Sequence, residues 1–349
     1  MFKKIICLLS ALTLGLSAAS CKESDSESSQ KTVTYNTDFN FNDSFFLPTT
    51  PPMCEYTYKF FSADIDRIND LVETAFGQGS FGRGKSDKGI SYSTSGDYPV
   101  YNWYDETEQI SAYLDELGSM SYFKGKYSQK YNDNEETKLI MSDMVFAEEF
   151  DKSITLDGKT VSYSTLTLDA QEKIKDCLDA TGSSTEFTPI CAREYSDESG
   201  KLIYVSLDYA AKFGTGCFST EYLPNGDDSF SGSFAAFALP RIHAYYYTPD
   251  DIQGVWIQNA QLDEIKEGKR LDGLDAEAAL SKLNENCPFS PKDITLCHAQ
   301  LEYRPTDEKD GVMTARPFWC FYYKKSSGEY GTLAVDAVSG DISNNELQA

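Results

Sequence analysis

The feature that most constrains the fold is a set of aromatic and β-branched runs separated by short polar turns. "CEYTYKF", "GKLIYVSLDY", "RIHAYYYT", "GVWIQNAQLDEI", "ITLCHAQLEY", "RPFWCFYY" and "YGTLAVDAV" all suit extended strands, because such side chains pack well on a pleated surface. The 23 tyrosines and 21 phenylalanines suffice to build half-buried sheet faces. Between the runs lie "SDESG", "PNGDDSFSG", "PTDEKDG" and "KKSSGEYG", which favour antiparallel hairpins over parallel crossovers. In "RPFWCFYY", Trp319 and Phe321 alternate with Phe318, Cys320 and Tyr322, so this strand is apolar on both faces and central. Asp336 and Gly340 after it fit a turn, since Asp bonds backbone N–H groups and Gly tolerates positive φ. Pairing Tyr303 with Thr314 across "RPTDEKDGVMT" sets Cys297 opposite Cys320, near each other without requiring a bond.

Helical spacing recurs between these runs. Residues 62–76 carry Ile65, Ile68, Val72 and Ala75 behind a cap at Ser62. "ETEQISAYLDELG" carries Ile110, Tyr113, Leu114 and Leu117, and "EETKLIMSDMVFAEEF" reads as a third helix. "DAQEKIKDCLDA" aligns Ala170, Ile174, Cys177 and Leu178, and "DAEAALSKLNENC" aligns Ala276, Leu280, Leu283 and Cys287. The expected class is α+β, with helices packed on antiparallel sheets. A helix followed by a cysteine-bearing strand recurs at an offset of 106: Leu168 with Leu274, and Ile190-Cys191 with Leu296-Cys297. That echo suggests two or three related subdomains. The expected segments are 51–158, 159–250 and 251–349, behind a flexible tether over 21–50 and a signal peptide over 1–20.

The C-terminal third carries a family pattern. It has a helix, a long strand ending Tyr303-Arg304-Pro305, a strand with Pro317-Phe318-Trp319, then Val335-Asp336-Ala337 with Gly340. Over residues 250–342 this resembles the closing unit of PepSY-type domains and of YycH/YycI-like regulatory proteins. The resemblance implies a helix on an antiparallel sheet and an extracytoplasmic role in regulating or restraining another protein. The shared motif is structural, so it brings no catalytic residues. Those regulators carry a membrane helix where this chain has a different leader.

That leader is "MFKKIICLLSALTLGLSAASC": a positive start at Lys3 and Lys4, an apolar run from Ile5 to Leu16, small residues, then Cys21. It resembles the lipobox of bacterial prolipoproteins, in which the cysteine is diacylated and the chain is cut before it. The family usually has Leu three residues before the cysteine, where this chain has Ala18; cleavage after Ala19 or Ser20 would instead give a free secreted protein. "KESDSESSQKTVTYNTD" then reads as a flexible tether. The expectation is a lipoprotein on the outer face of the cell membrane, held through Cys21.

Loss of residues 1–20 takes the formal charge from −24 to −26. Phosphate binding needs clustered Lys and Arg, so such an acidic chain is a poor nucleic-acid binder. Past the leader cysteine, Cys54, Cys177, Cys191, Cys217, Cys287, Cys297 and Cys320 are irregularly spaced and odd in number, without C-x-x-C, and the only histidines are His243 and His298. Metal-site spacing is therefore absent. Cys217 and His243 are the candidate pair for a thiol nucleophile, and His298 reads as a surface or satisfied side chain.

"GSFGRGKS", Gly79 to Ser86, matches the phosphate-loop pattern letter for letter. A working loop needs a strand before it and a helix after it. Here a helical pattern precedes the glycines and a Gly-, Ser- and Tyr-rich stretch follows, so no nucleotide is expected to bind. Fifty-five carboxylates single out no acid pair for glycoside cleavage. No catalytic, cofactor or metal residue is assigned. The leading function is a non-catalytic surface lipoprotein that binds or regulates a protein partner. The alternatives are a glycan- or nutrient-binding lipoprotein, favoured if exposed Trp or Tyr line a groove, and a wall-directed hydrolase. The leader generates a direct test: Cys21→Ala is expected to move the protein out of the membrane fraction, and a variant that stays in salt-washed membranes refutes the anchor.

Overall fold

The computed structural model describes residues 35–60, 91–95, 98–105, 110–115, 120–124, 139–181, 183, 185–218, 241–258, 262–309 and 311–346. Cys21 and the Gly79–Ser86 loop lie outside these residues, as does the helix expected over 62–76. Residues Asn36–Ala349 cluster as one compact unit.

The strands run in chain order as β1 (Asn40–Phe41), β2 (Met53–Phe60), β3 (Ser91–Ser95), β4 (Tyr98–Asp105), β5 (Ile110–Asp115), β6 (Met120–Lys124) and β7 (Ile140–Phe146). There follow β8 (Ser153–Leu156), β9 (Lys159–Ser162), β10 (Phe187–Ser196), β11 (Leu202–Phe213), β12 (Gly216–Phe218), β13 (Arg241–Tyr246) and β14 (Gly254–Gln258). The last are β15 (Leu262–Leu271), β16 (Ile294–Lys309), β17 (Val312–Lys325), β18 (Tyr330–Asp336) and β19 (Ile342–Glu346). Among the described residues two α-helices interrupt them, α1 (Tyr163–Thr181) and α2 (Ala276–Asn286).

The expected α+β class is therefore wrong: among the described residues, two helices accompany nineteen strands, and the protein is predominantly β. The segment expected as a helix around Ile110–Leu117 contains β5, and "EETKLIMSDMVFAEEF" contains β7 and a single 3₁₀ turn, Ala147–Glu149. The reason is visible in β7. Met144 and Phe146 face one side and Val145 the other, and all three are buried, so the two-residue alternation that marks a strand is lost.

Among the described residues, seventeen strands form one hydrogen-bonded network that resolves into two sheets. The first runs β3-β4-β5-β6-β14-β13-β11-β10-β7, antiparallel throughout. The second centres on β17, which pairs with β16 along one edge and with β18 and β2 along the other. β19 extends it beyond β18, β15 beyond β2, and β1 and β12 lie parallel to β16. β12 also closes a hairpin with the end of β11, so the first sheet feeds directly into the second. Strands from all three expected segments thus pair with one another. The helix-then-strand echo seen in the sequence is a helix followed by an antiparallel meander, α1 with β10-β11-β13-β14 and α2 with β16-β17-β18-β19.

Helix α1 lies on one face of the first sheet. Its Tyr163, Leu166, Ala170, Ile174 and Leu178 recur at helical spacing and join Val205, Leu207, Tyr209, Ile242, Ala244 and Val255 in one core. Ser162 caps it, accepting the Thr165 N–H at 3.2 Å. The opposite face meets the second sheet through Met144, Phe146, Cys191, Ala210, Cys217, Cys320 and Tyr322. Phe146 stacks on His298 with centroids 4.7 Å apart, and Lys324 reaches Asp143 across the seam at 3.1 Å. Helix α2 is capped by Asp275, which accepts the Ala278 N–H at 2.7 Å. Next to its start, the Trp319 indole donates to the Leu274 carbonyl at 2.8 Å. Strand β17 is central as expected, with Trp319, Cys320, Phe321 and Tyr322 all buried. Asp336 accepts from the Val338 and Ser339 N–H groups at 2.7 and 2.9 Å, and Gly340 has φ +78, which confirms the turn.

The β16–β17 hairpin exists, but its expected register is wrong. Lys309 pairs with Val312, so only Asp310 and Gly311 separate the strands, and residues taken as loop are ladder. Tyr303 faces Pro317, and Cys320 faces Gln300; Cys297 sits at a bulge between Leu296 and His298. Both thiols are free. Asp-Gly is the dipeptide of a two-residue hairpin turn, and it outranks the surrounding charges as a register signal.

Aromatic rings crowd several strand glycines. Tyr323 faces Gly331, and a Cβ at Gly331 would lie only 2.4 Å from the Tyr323 Cζ. Gly331→Ala is expected to cost about 1–3 kcal/mol by forcing the buried Tyr323 aside. A urea melt that gives the variant the wild-type midpoint would show that the ring is not held there.

Candidate functional site

The first sheet continues past its seam with the second, and there its non-helical face changes character. Cross-strand pairing arranges the side chains of that face in three rows. One row reads Cys191, Asp208, His243, Trp256 and Ser121; the next Arg193, Ser206, Tyr245, Gly254 and Phe123. The third holds Tyr195 and Tyr204, with Tyr247 just beyond β13. Each row begins at a β7 residue of the seam, Phe146, Met144 and Met141 respectively, so the rows lead from buried core outward to half-buried aromatics.

The rings form a continuous surface. Tyr195 and Tyr204 stack with centroids 4.4 Å apart, and Tyr204 meets Tyr247 at 5.1 Å and Tyr245 at 6.3 Å. Tyr245 meets Phe123 at 5.6 Å and His243 at 6.1 Å, and His243 lies 6.0 Å from Trp256. Gly254 makes this possible. A Cβ there would lie 2.7 Å from Phe123 and 3.1 Å from Tyr245, so only a glycine lets both rings settle on the strand. Gln253 shapes the adjoining turn by accepting the Tyr247 N–H at 2.7 Å. Trp256 is the most open member, 36% exposed.

A charged trio forms the floor. Asp208 is buried, with Arg193 Nε 2.5 Å from Oδ2, and His243 Nδ1 2.8 Å and Ser206 Oγ 2.9 Å from Oδ1. Burial by itself would raise the Asp208 pKa, but the Arg193 charge, followed by His243 and Ser206, outweighs it and holds the carboxyl well below its usual range. The ionised carboxylate accepts, so Nδ1 of His243 carries the proton and Nε2 presents its lone pair when the ring is neutral. Nε2 has no hydrogen bond among the described residues.

This geometry separates the candidate nucleophile pair. Cys217 lies in the seam, with its thiol 3.8 Å from the Leu301 carbonyl and its pKa pushed well up by burial, whereas His243 is committed to Asp208. Ser206 and His243 share one oxygen of Asp208, so the carboxylate stands between them and the imidazole does not activate the hydroxyl. His298 is satisfied, with Glu148 at 3.3 Å and Gln300 at 3.2 Å. Among the described residues, no cluster of three His, Cys, Asp or Glu side chains has metal-binding geometry. Sequence reasoning named His243 but missed Asp208 and Arg193. The signal available was a lone Asp inside the apolar strand "LIYVSLDYAA", since a carboxylate there must find a cation.

No family model matches the chain, and no curated protein matches it. A crystal structure described as an uncharacterized protein from Eubacterium rectale is similar in fold, with a TM-score of 0.57 at 15% identity over 86% of each chain.

The trio generates a prediction. Arg193→Met takes from the buried Asp208 its guanidinium partner, leaving only His243 and Ser206, and is expected to cost about 3–5 kcal/mol at neutral pH. Because the folded pKa is depressed, the wild-type contribution is present above the ordinary carboxylate range and is lost as pH falls towards the folded value. The wild type should therefore lose more stability than Arg193→Met between about pH 5 and 2. Urea midpoints across that range decide it; equal slopes would remove Arg193 from the explanation.

Proposed function

We propose that the protein is a non-catalytic surface lipoprotein, held by a diacylated Cys21 on the outer face of a cell membrane, that retains an extracellular ligand on the aromatic face of its first sheet. The observation carrying this reading is the half-buried ring surface of Tyr204, Tyr245, Phe123 and Trp256 around the Arg193–Asp208–His243 floor. Among the described residues, many large aromatics are consumed by the core, as Trp319, Tyr58, Tyr209, Tyr246 and Tyr323 are. These rings are instead left at the surface, next to polar groups.

The non-catalytic part of the reading rests on how the described groups are engaged. Within the three rows Asp208 is the one carboxylate, and it is held ionised by Arg193, whereas glycoside cleavage uses a facing pair. The thiols of Cys217 and Cys320 are buried with raised pKa values, which suppresses the thiolate.

The test is retention on the immobilised chain. Cell-envelope extract and spent medium are passed over wild type and a Trp256→Ala/Tyr245→Ala variant of unchanged circular dichroism, and retained proteins and glycans are read by mass spectrometry. A component held by wild type and depleted at least tenfold on the variant is expected. Identical retention on both refutes the face as the binding surface.

A further inference from the structure

We infer that the ligand class of this face is a neutral oligosaccharide, an inference that rests on the aromatic face being the binding surface. Trp256, Tyr245 and Tyr204 stand on the neighbouring strands β14, β13 and β11, each displaced by one row from the last. Diagonal neighbours in an antiparallel sheet lie about 7–8 Å apart. The three rings therefore form an oblique track of roughly 15 Å, longer than one hexose ring. A pyranose in its chair form presents a patch of C–H bonds on one face and hydroxyls around its rim. The patch packs on an aromatic ring, and the rim needs donors and acceptors beside that ring. This face provides both. His243, whose Nε2 has no described partner, lies 6.0 and 6.1 Å from the Trp256 and Tyr245 rings. Its Nδ1 is fixed by Asp208, so the imidazole plane is set before a ligand arrives.

Charge selects among ring-bearing ligands. The formal charge of −24 opposes anionic polymers, and base-stacking platforms for single-stranded nucleic acid need a cationic track. The guanidinium of the floor, Arg193, is already engaged by the Asp208 carboxylate. A protein partner fits less well. The cores of protein interfaces are depleted of charge, and here the Arg193–Asp208 ion pair lies beneath the centre of the face. An uncharged polyhydroxylated ring takes hydrogen bonds from such a floor and returns them.

The experiment is titration calorimetry of the chain with neutral hexasaccharides of β-1,4-glucose, α-1,4-glucose, β-1,4-xylose and β-1,4-mannose, with a hexauronate as the anionic contrast. Binding of at least one neutral hexasaccharide is expected, at least tenfold weaker for Trp256→Ala and for Tyr204→Ala, with the hexauronate weaker than any neutral sugar bound. Trp256 is 36% exposed, so its removal leaves the core intact, and an unchanged melting temperature checks this. If no neutral sugar binds, or the two variants bind as wild type does, the sugar assignment is overturned. Failure with every sugar, combined with extract retention that still depends on Trp256 and Tyr245, would overturn the sugar class alone and point to a protein occupant. Retention that ignores those residues would overturn the binding surface as well.

Discussion

The architecture depends on β11 belonging to two sheets. Its middle pairs with β10 and β13 in the first sheet, and its last residues turn at Gly214 into β12, which lies beside β16 in the second. A sheet fed from its neighbour in this way cannot slide over it without breaking ladder hydrogen bonds. The seam is then free to be filled by shape. Phe146 against His298 and Tyr322, the small Ala210 and the thiols of Cys191, Cys217 and Cys320 fill it, with the buried Glu302 and Arg304 beside them. Glu302 accepts from Gln300 and Tyr322, each at 2.7 Å, and Arg304 lies 3.6 Å from its other oxygen. The pair offsets its charges within the layer but is incompletely hydrogen-bonded, since Glu302 Oε2 and Arg304 Nε are buried without hydrogen bonds among the described residues.

The same strand builds the candidate site. Alternate residues of β11 point to opposite faces, so Val205, Leu207 and Tyr209 meet α1 while Tyr204, Ser206 and Asp208 form the aromatic face and its floor. Core and site are two sides of one pleat. A one-residue slip of β10 or β13 against β11 would bury aromatics under α1 and expose aliphatics, so packing of the helical face enforces the site's register.

Much of the strand content was legible from aromatic and β-branched runs, and the central position of "RPFWCFYY" and the Asp336 turn followed from local chemistry alone. The helix content was overread for a physical reason. In a layered protein whose inner strands are buried on both faces, as β7 is, apolar residues fall at every spacing and helical matches arise by default. The Cys297–Cys320 register failed because the whole of "RPTDEKDGVMT" was read as loop, whereas the ladder runs on to Lys309 and Val312. The site was half legible. His243 stood out by rarity, but its carboxylate and guanidinium come from β11 and β10, and only the register of three strands brings Asp208, Arg193 and His243 together.

Strand β15 adds one further consequence. Apart from its first residue, Leu262, it is largely exposed, and beyond its pairing with β2 it carries Asp263, Glu264, Lys266, Glu267, Lys269 and Arg270 along ten residues. A long apolar edge would zip neighbouring copies into ribbons. A border of mixed charge resists this, because each new ladder hydrogen bond would strip water from an ion. Edge-to-edge pairing of copies through β15 is therefore disfavoured.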